Sequence, residues 1–152
     1  MQTGPRWISP AIVNWFWWAL LSAFFAGVTA ILAKIGVAGV DSDLATAVRT
    51  TVILVFAWSV FFVTTPVRQL FLLSGKNWLF LVLSGIATGL SWICYFRALQ
   101  LGPASKVAPV DKLSVIFAII LAGVILRERL DWHQWVGGSL IVAGAIVLAF
   151  KG

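Results

Sequence analysis

The sequence predicts an all-α integral membrane protein with five transmembrane helices. Of its 152 residues, 61% are hydrophobic and only 11% are charged. A soluble domain carries about 25% charged residues, so most of this chain belongs in lipid. The apolar segments are expected to be helices, because strands would leave unpaired backbone groups in the bilayer. The length leaves room for one domain.

Five apolar segments each approach the about 20 residues that a helix needs to cross about 30 Å of hydrocarbon. A polar-to-mixed lead over residues 1–14 precedes them, and together they form a single domain over residues 15–150. The first segment exceeds the about 7–15 apolar residues of a signal peptide and has no clear cleavage site. Short connections with glycine or proline separate the segments. The predicted spans are residues 15–37, 44–64, 78–99, 105–126 and 132–150.

An odd number of spans places the two chain ends on opposite sides of the membrane, here called side A (N-terminal) and side B. Basic residues are nearly balanced between the sides, so they predict no fixed orientation. Most tryptophans lie towards side A, as in an interfacial aromatic belt. The basic residues are Arg6, Arg68, Lys76, Arg127 and Arg129 on side A, and Lys34, Arg49, Arg97, Lys106, Lys112 and Lys151 on side B.

The fourth segment carries charges below the expected headgroup level. Only fourteen apolar residues, 113–126, precede Arg127, which is about six fewer than a span requires. Pro109, Asp111 and Lys112 are therefore expected inside the membrane, where Pro109 would bend the helix. Neighbours on a helix diverge by about 100°, so we expect Asp111 and Lys112 not to pair with each other. Ionisable residues at this depth are functional candidates.

Further charges are expected at the same side-B end of the bundle. Lys34 ends the first span, Arg49 lies a turn into the second, and Arg97 closes the third. Basic residues outnumber aspartates there, which favours an anionic or zwitterionic ligand. Snorkelling of Lys34 and Arg97 to the headgroups, or a structural Arg49–Asp111 ion pair, are open alternatives. The predicted substrate-binding residues are Lys34, Arg49, Arg97, Asp111 and Lys112.

Small residues predict where helices approach closely or bend. Gly85 and Gly89 are four residues apart in the third span, a spacing that allows close contact between helix backbones. With Pro109, they are the predicted hinge or packing positions. Ordinary tight packing between membrane helices explains single glycines and alanines equally well.

The sequence disfavours several classes of protein and of binding site. Cys94 is the single cysteine and His133 the single histidine, so neither a disulfide nor a metal site is expected. Without a nucleophile–base pair or a phosphate-binding loop, we expect neither an enzyme nor a bound cofactor. The basic residues form no dense run, so we do not expect nucleic-acid binding.

Several short motifs follow one another in the last part of the chain. They begin at Tyr95-Phe-Arg-Ala-Leu99 and end at the glycine-rich 137–144 run, with Gly102-Pro-Ala-Ser105, Ala108-Pro109 and Glu128-Arg-Leu130 between them. In this order and spacing, the chain resembles the EamA domain of the drug/metabolite transporter superfamily, and the resemblance covers all five spans. Arg127 stands where that family often has glycine.

The resemblance implies one half of a carrier that has two five-helix domains of opposite orientation. It implies a small-molecule transporter that works by alternating access, as an antiparallel homodimer or with a paralogous five-helix partner. The bacterial inner membrane is the expected location. The alternative is a non-transporting membrane subunit that assembles or stabilises a larger complex.

Overall fold

The structure is a computed structural model that describes residues 10–150, with side-chain surroundings from residue 15. The first nine residues of the predicted lead, with Arg6, and also Lys151, lie outside this range. Every regular element within it is helical. The helices are α1 Pro10–Gly36, α2 Ser42–Thr64, α3 Gly75–Leu101, α4 Ala104–Asp111, α5 Ser114–Ile125 and α6 Trp132–Phe150, with a 3₁₀ helix at Val67–Leu72.

The predicted five-span, all-α architecture is confirmed for this part of the chain. Helices α1, α2, α3 and α6 and the α4–α5 pair are long and apolar enough to cross a membrane. Capping explains where two of them begin. The Asp41 carboxylate accepts the backbone N–H groups of Asp43 and Leu44 at 2.9 and 3.0 Å, and the Ser74 hydroxyl accepts that of Asn77 at 3.2 Å. These bonds satisfy donors that a helix start leaves unpaired.

The fourth span is interrupted rather than merely bent. Helix α4 ends at Asp111, and a turn separates it from α5. Across the turn the backbone forms short-range bonds, from Lys112 N–H to Pro109 O at 3.1 Å and from Leu113 N–H to Val110 O at 3.0 Å. Pro109 has no N–H to give to the preceding turn, which weakens the helix just before the break.

The turn after α5 depends on a residue with a left-handed backbone. Arg127 has a φ of 55°, at the position where the EamA resemblance often has glycine. The Glu128 N–H donates across this turn to the Ala122 carbonyl at 3.2 Å, and the same carbonyl accepts the Leu126 N–H at 3.1 Å, so one carbonyl of the last helical turn has two partners. Arg127 thus takes the conformation that glycine adopts without a steric penalty.

Helices α3 and α4 each pack against three other helices. Helix α3 packs against α1, α2 and α4, whereas α4 also packs against α1 and α6, and α5 packs against α6. Gly138 of α6 permits the close contact with α5, because a Cβ at this position would lie 2.8 Å from Ile116 Cδ1. Helices α1 and α2 barely touch each other. A small core at the side-B end packs Ala33 of α1 and Val37, which follows α1, against Phe96 and Leu99 of α3.

Most of the remaining surface is apolar and exposed. The chain has 12,290 Å² of accessible surface, whereas a soluble monomer of 16.5 kDa would expose about 7,600 Å². Large side chains such as Trp18, Phe25 and Phe62 are more than half exposed on α1 and α2. Such a surface requires lipid or another apolar chain to cover it.

Candidate functional site

Polar side chains from three helices lie at one level within the bundle. Arg49 is seven residues from the start of α2, Asp111 is seven from the start of α4, and Tyr95 is six from the end of α3. At 1.5 Å per residue, each lies about 10 Å along its helix from the side-B end. Tyr95 and Asp111 line the same groove, and Arg49 lies over the rings of Trp92 and Phe96, which are close to Tyr95 along α3. Arg49 and Asp111 therefore lie at a similar depth, but they line different grooves.

The guanidinium of Arg49 rests on aromatic rings. Its Cζ lies 4.3 Å from the centroid of Trp92 and 5.5 Å from that of Phe96. These are cation–π distances, and such contacts are strengthened where water is excluded. The rings hold the cation while leaving its N–H donors free to bind another group.

Two grooves lie next to this group of residues. One has a volume of about 360 Å³ and is lined by Tyr95 and Asp111 together with Cys94 and Lys106. The other, about 510 Å³, contains Arg49 and lies between α1 and α2. Both volumes fall within the about 300–1,000 Å³ range of small-molecule sites. The lining of these grooves includes Arg49 and Asp111 but not Lys34, Arg97 or Lys112.

Lys34 joins α1 to the end of α3. Its Nζ donates to the carbonyl oxygen of Leu99 and, at 2.8 Å, to that of Gly102. Carbonyls at a helix end lack helical partners and carry partial negative charge, so a lysine there is favourable. Its position therefore differs from that of a side chain extended to the headgroups, and its predicted substrate contact is untested.

Arg97 also contacts a neighbouring helix rather than extending freely. Its Nη2 lies 2.9 Å from an Asp43 carboxylate oxygen at the start of α2, and both side chains are more than half exposed. Nearby, Gln100 Nε2 donates to the Val40 carbonyl at 2.6 Å. With Lys34, these residues connect the side-B ends of α1, α2 and α3.

The expectation that Asp111 and Lys112 would not pair is wrong. Lys112 Nζ lies 3.2 Å from an Asp111 carboxylate oxygen. The expectation assumed a continuous helix, but α4 ends at Asp111 and Lys112 belongs to the turn, so its side chain can reach its neighbour. The alternative Arg49–Asp111 ion pair is not formed in the part of the chain that the structure describes.

The predicted packing glycines have no close neighbour among the residues that the structure describes. A Cβ added to Gly85 or Gly89 would meet nothing within 4 Å. Neither position therefore forms a close helix contact with another described helix. Pro109 lies in α4 just before the interruption of the fourth span.

Sequence reasoning missed the aromatic residues of the site. Trp92 lies one turn of α3 before the adjacent residues Tyr95 and Phe96. Trp92 and Phe96 contact Arg49, and Tyr95 lines a groove with Asp111. Their spacing of three and four places them on one side of a helix. One sequence feature could have indicated an aromatic contribution to the site. Tyr95 is the single tyrosine of the sequence, and it lies at the depth where charged residues were expected.

Comparisons with known proteins match this arrangement to a family. The model of the EamA-like transporter family matches residues 13–150. The "Uncharacterized transporter in cobO 3'region" of Sinorhizobium sp. is 48% identical over 136 residues, which are 90% of this chain and 96% of that protein. No solved structure matches the chain.

More distant relatives are similar over about half of the chain. The "Probable 4-amino-4-deoxy-L-arabinose-phosphoundecaprenol flippase subunit ArnE" of Pseudomonas fluorescens is 29% identical over 75 residues, 49% of this chain and 63% of that protein. Its namesake from Aeromonas salmonicida is 26% identical over 68 residues, 45% and 60% of the two chains. From the family match and the 48% identical transporter, the chain is an integral membrane protein that belongs to the EamA-like transporter family.

Proposed function

We propose that this chain is one half of a small-molecule carrier, not an enzyme, and that a second five-helix half completes its substrate cavity. The observation that carries this proposal is the position of Arg49 and Asp111. Both lie about 10 Å inside helical spans, yet both line grooves open to the surface of the single chain. A charge exposed to lipid at the bilayer centre costs about 2.5–3.5 kcal/mol, so such residues normally face protein or water.

A second half placed over α3 would cover these grooves and convert them into an enclosed cavity. The open face around Gly85 and Gly89 provides room for close helix contact. The relatives named ArnE are described as flippase subunits, which supports a partner chain. We propose an antiparallel homodimer or a paralogous five-helix partner, with alternating access as the two halves rock against each other.

The substrate class is proposed from the charges near the cavity. Arg49 and Lys106 contribute positive charge and Asp111 negative charge to the two grooves. This favours an anionic or zwitterionic solute. We place the protein in a bacterial inner membrane, because its relatives come from bacteria and its spans are helical, unlike those of outer-membrane barrels.

The proposal is tested by flux through the purified chain in liposomes, screened across charged metabolites. We expect specific uptake that Asp111→Asn lowers at least about tenfold, since loss of a charged hydrogen-bonding group costs about 1.5–3 kcal/mol. Asp131→Asn is the matched control, because Asp131 is exposed and lies between the fourth and fifth spans. Equal flux in the two variants with normal folding would remove Asp111 from the mechanism.

Topology is tested separately with a reporter at the C-terminus, assayed from both sides of the membrane. We expect both orientations, or one orientation with a partner of opposite orientation. A single fixed orientation without such a partner would exclude the antiparallel arrangement.

A second candidate function is a non-transporting membrane subunit, which the word "subunit" in the names of the ArnE relatives favours. Such a chain would need the small-residue faces but no hydrated cavity. Flux by the purified chain alone would exclude a purely structural role. Cysteine labelling at positions 49 and 111 gives an independent measurement, since a dry interface would protect both positions.

A further inference from the structure

Arg49 is a charged donor whose hydrogen-bonding capacity is not used within the described chain. A guanidinium carries five N–H donors. Among residues 10–150, Arg49 forms neither an ion pair nor a side-chain hydrogen bond, and its contacts are the faces of Trp92 and Phe96. By contrast, Arg97 is paired with Asp43. The N–H groups of Arg49 therefore remain available for a ligand that supplies acceptor oxygens.

The groove beside Arg49 is largely apolar. It exists because α1 and α2 both pack against α3 but barely touch each other, so a channel of about 510 Å³ runs between them with Phe96 in its lining. Of the residues that the structure describes, Arg49 is the one charged residue that lines it. The apolar walls are formed mainly by Leu32, Ala33 and Gly36 on α1 and by Leu44, Ala45 and Val48 on α2.

This combination selects for a molecule with two different ends. A hydrocarbon chain is favoured along the apolar walls, and an anionic oxygen group is favoured at the guanidinium. A phosphate ester offers three terminal oxygens, which can occupy more of the free donors than a carboxylate can. An uncharged chain would leave Arg49 unpaired, and inorganic phosphate would leave the apolar walls unfilled.

We propose that the α1–α2 groove binds an amphipathic phosphate, with its phosphate on Arg49 and its hydrocarbon chain between α1 and α2. This inference rests on the proposed function in one respect, since it names a substrate class for the same carrier. The site itself is defined by residues of one chain, so its occupancy can be measured without transport.

The test is binding of dodecyl phosphate to the purified full chain in neutral detergent, measured by native mass spectrometry. We expect Arg49→Gln to weaken binding roughly 10- to 100-fold, the loss expected for hydrogen bonds to a charged group. Arg68→Gln is the matched control, because Arg68 is exposed in the 3₁₀ helix near the other end of α2. Equal binding by the two variants would overturn the proposal.

The apolar part of the groove is tested with a second pair of variants. Gly27 and Gly36 both lie on α1, and a Cβ added to either would meet nothing within 4 Å. Only Gly36 lines the groove, so Gly36→Phe should weaken dodecyl phosphate binding at least about tenfold while Gly27→Phe should not. If Arg49→Gln fails to fold, this pair provides the test, because both variants retain Arg49. Equal binding of dodecyl phosphate by Gly36→Phe and Gly27→Phe would overturn the proposal.

Two further ligands distinguish the sources of affinity. Dodecanol has the chain without the phosphate, and inorganic phosphate has the anion without the chain; both should bind at least about tenfold more weakly than dodecyl phosphate. If either binds equally well, an amphipathic phosphate site is excluded. Flux of another solute without dodecyl phosphate binding would remove this inference alone, whereas binding without any flux would remove the proposed function and retain the groove.

Discussion

Replacement of Lys34 by methionine should destabilise the side-B end of the bundle. The ammonium donates to the carbonyls of Leu99 and Gly102, at the point where α3 ends and the chain turns into α4. Lys34→Met keeps an unbranched apolar stem but removes the charged donor. The two carbonyls would then lose a partner that also joins α1 to α3.

The expected loss of unfolding free energy follows from these two hydrogen bonds. A hydrogen bond to a charged group contributes about 1.5–3 kcal/mol, so two bonds set a range that begins near 3 kcal/mol. Lys34 is only half-buried, and water can replace part of the lost bonding. We therefore expect a loss of about 2 kcal/mol, equivalent to about 4–8 °C in the melting temperature of a chain of this size.

The measurement is the apparent melting temperature in detergent, from the folded fraction that remains after heating. Lys76→Met is the control, because Lys76 is exposed in the first turn of α3 and has no ion pair among the described residues. It should shift the midpoint by less than about 2 °C. Equal shifts for the two variants would refute the assignment of Lys34 as a cap on α3.

Two further predictions concern the side-A ends. Arg127→Gly should be more stable than Arg127→Ala by about 0.5–1 kcal/mol in the same assay, because both remove the charge but only glycine relieves the φ of 55°; equal stability would contradict a strained turn. The hydrogen bond with His133 lowers the pKa of Asp131 from 3.8, with a further contribution from the Trp132 N–H. The stabilisation from Asp131 is therefore complete above its unfolded pKa and is lost as pH falls through the lower folded value. His133→Ala should raise the pKa of Asp131 towards 3.8 in a carbon-13 NMR titration, and an unchanged value would contradict the assigned cause.

The spans were predictable because the bilayer imposes a length and a helical backbone on them. Boundaries were less predictable, since they depend on local capping: Ser74 starts α3 at Gly75, three residues before the predicted start. The break after Asp111 was predicted only as a bend at Pro109. Sequence composition alone does not indicate whether the helix continues without a break after a proline.

The depth of the candidate site in the membrane was predictable, but the residues that contact Arg49 and Asp111 were not. Arg49 and Asp111 were expected at the same level because each lies a similar distance into its span. Their partners were not predictable, because Trp92 reaches Arg49 from a different helix and Lys112 reaches Asp111 through a turn. Each of these contacts depends on helix rotation or on a break, and neither is encoded in the hydropathy of a segment.

By itself, the sequence determined that this is a five-span helical membrane protein with charges near one end, because lipid penalises unpaired backbone and buried charge wherever they occur. Tertiary structure alone decided which charges are paired and which remain available. Packing of α1 and α2 against α3 rather than against each other opens the groove at Arg49. The same packing brings Lys34 to the end of α3, since contacts between helices depend on their relative rotation and not on their composition.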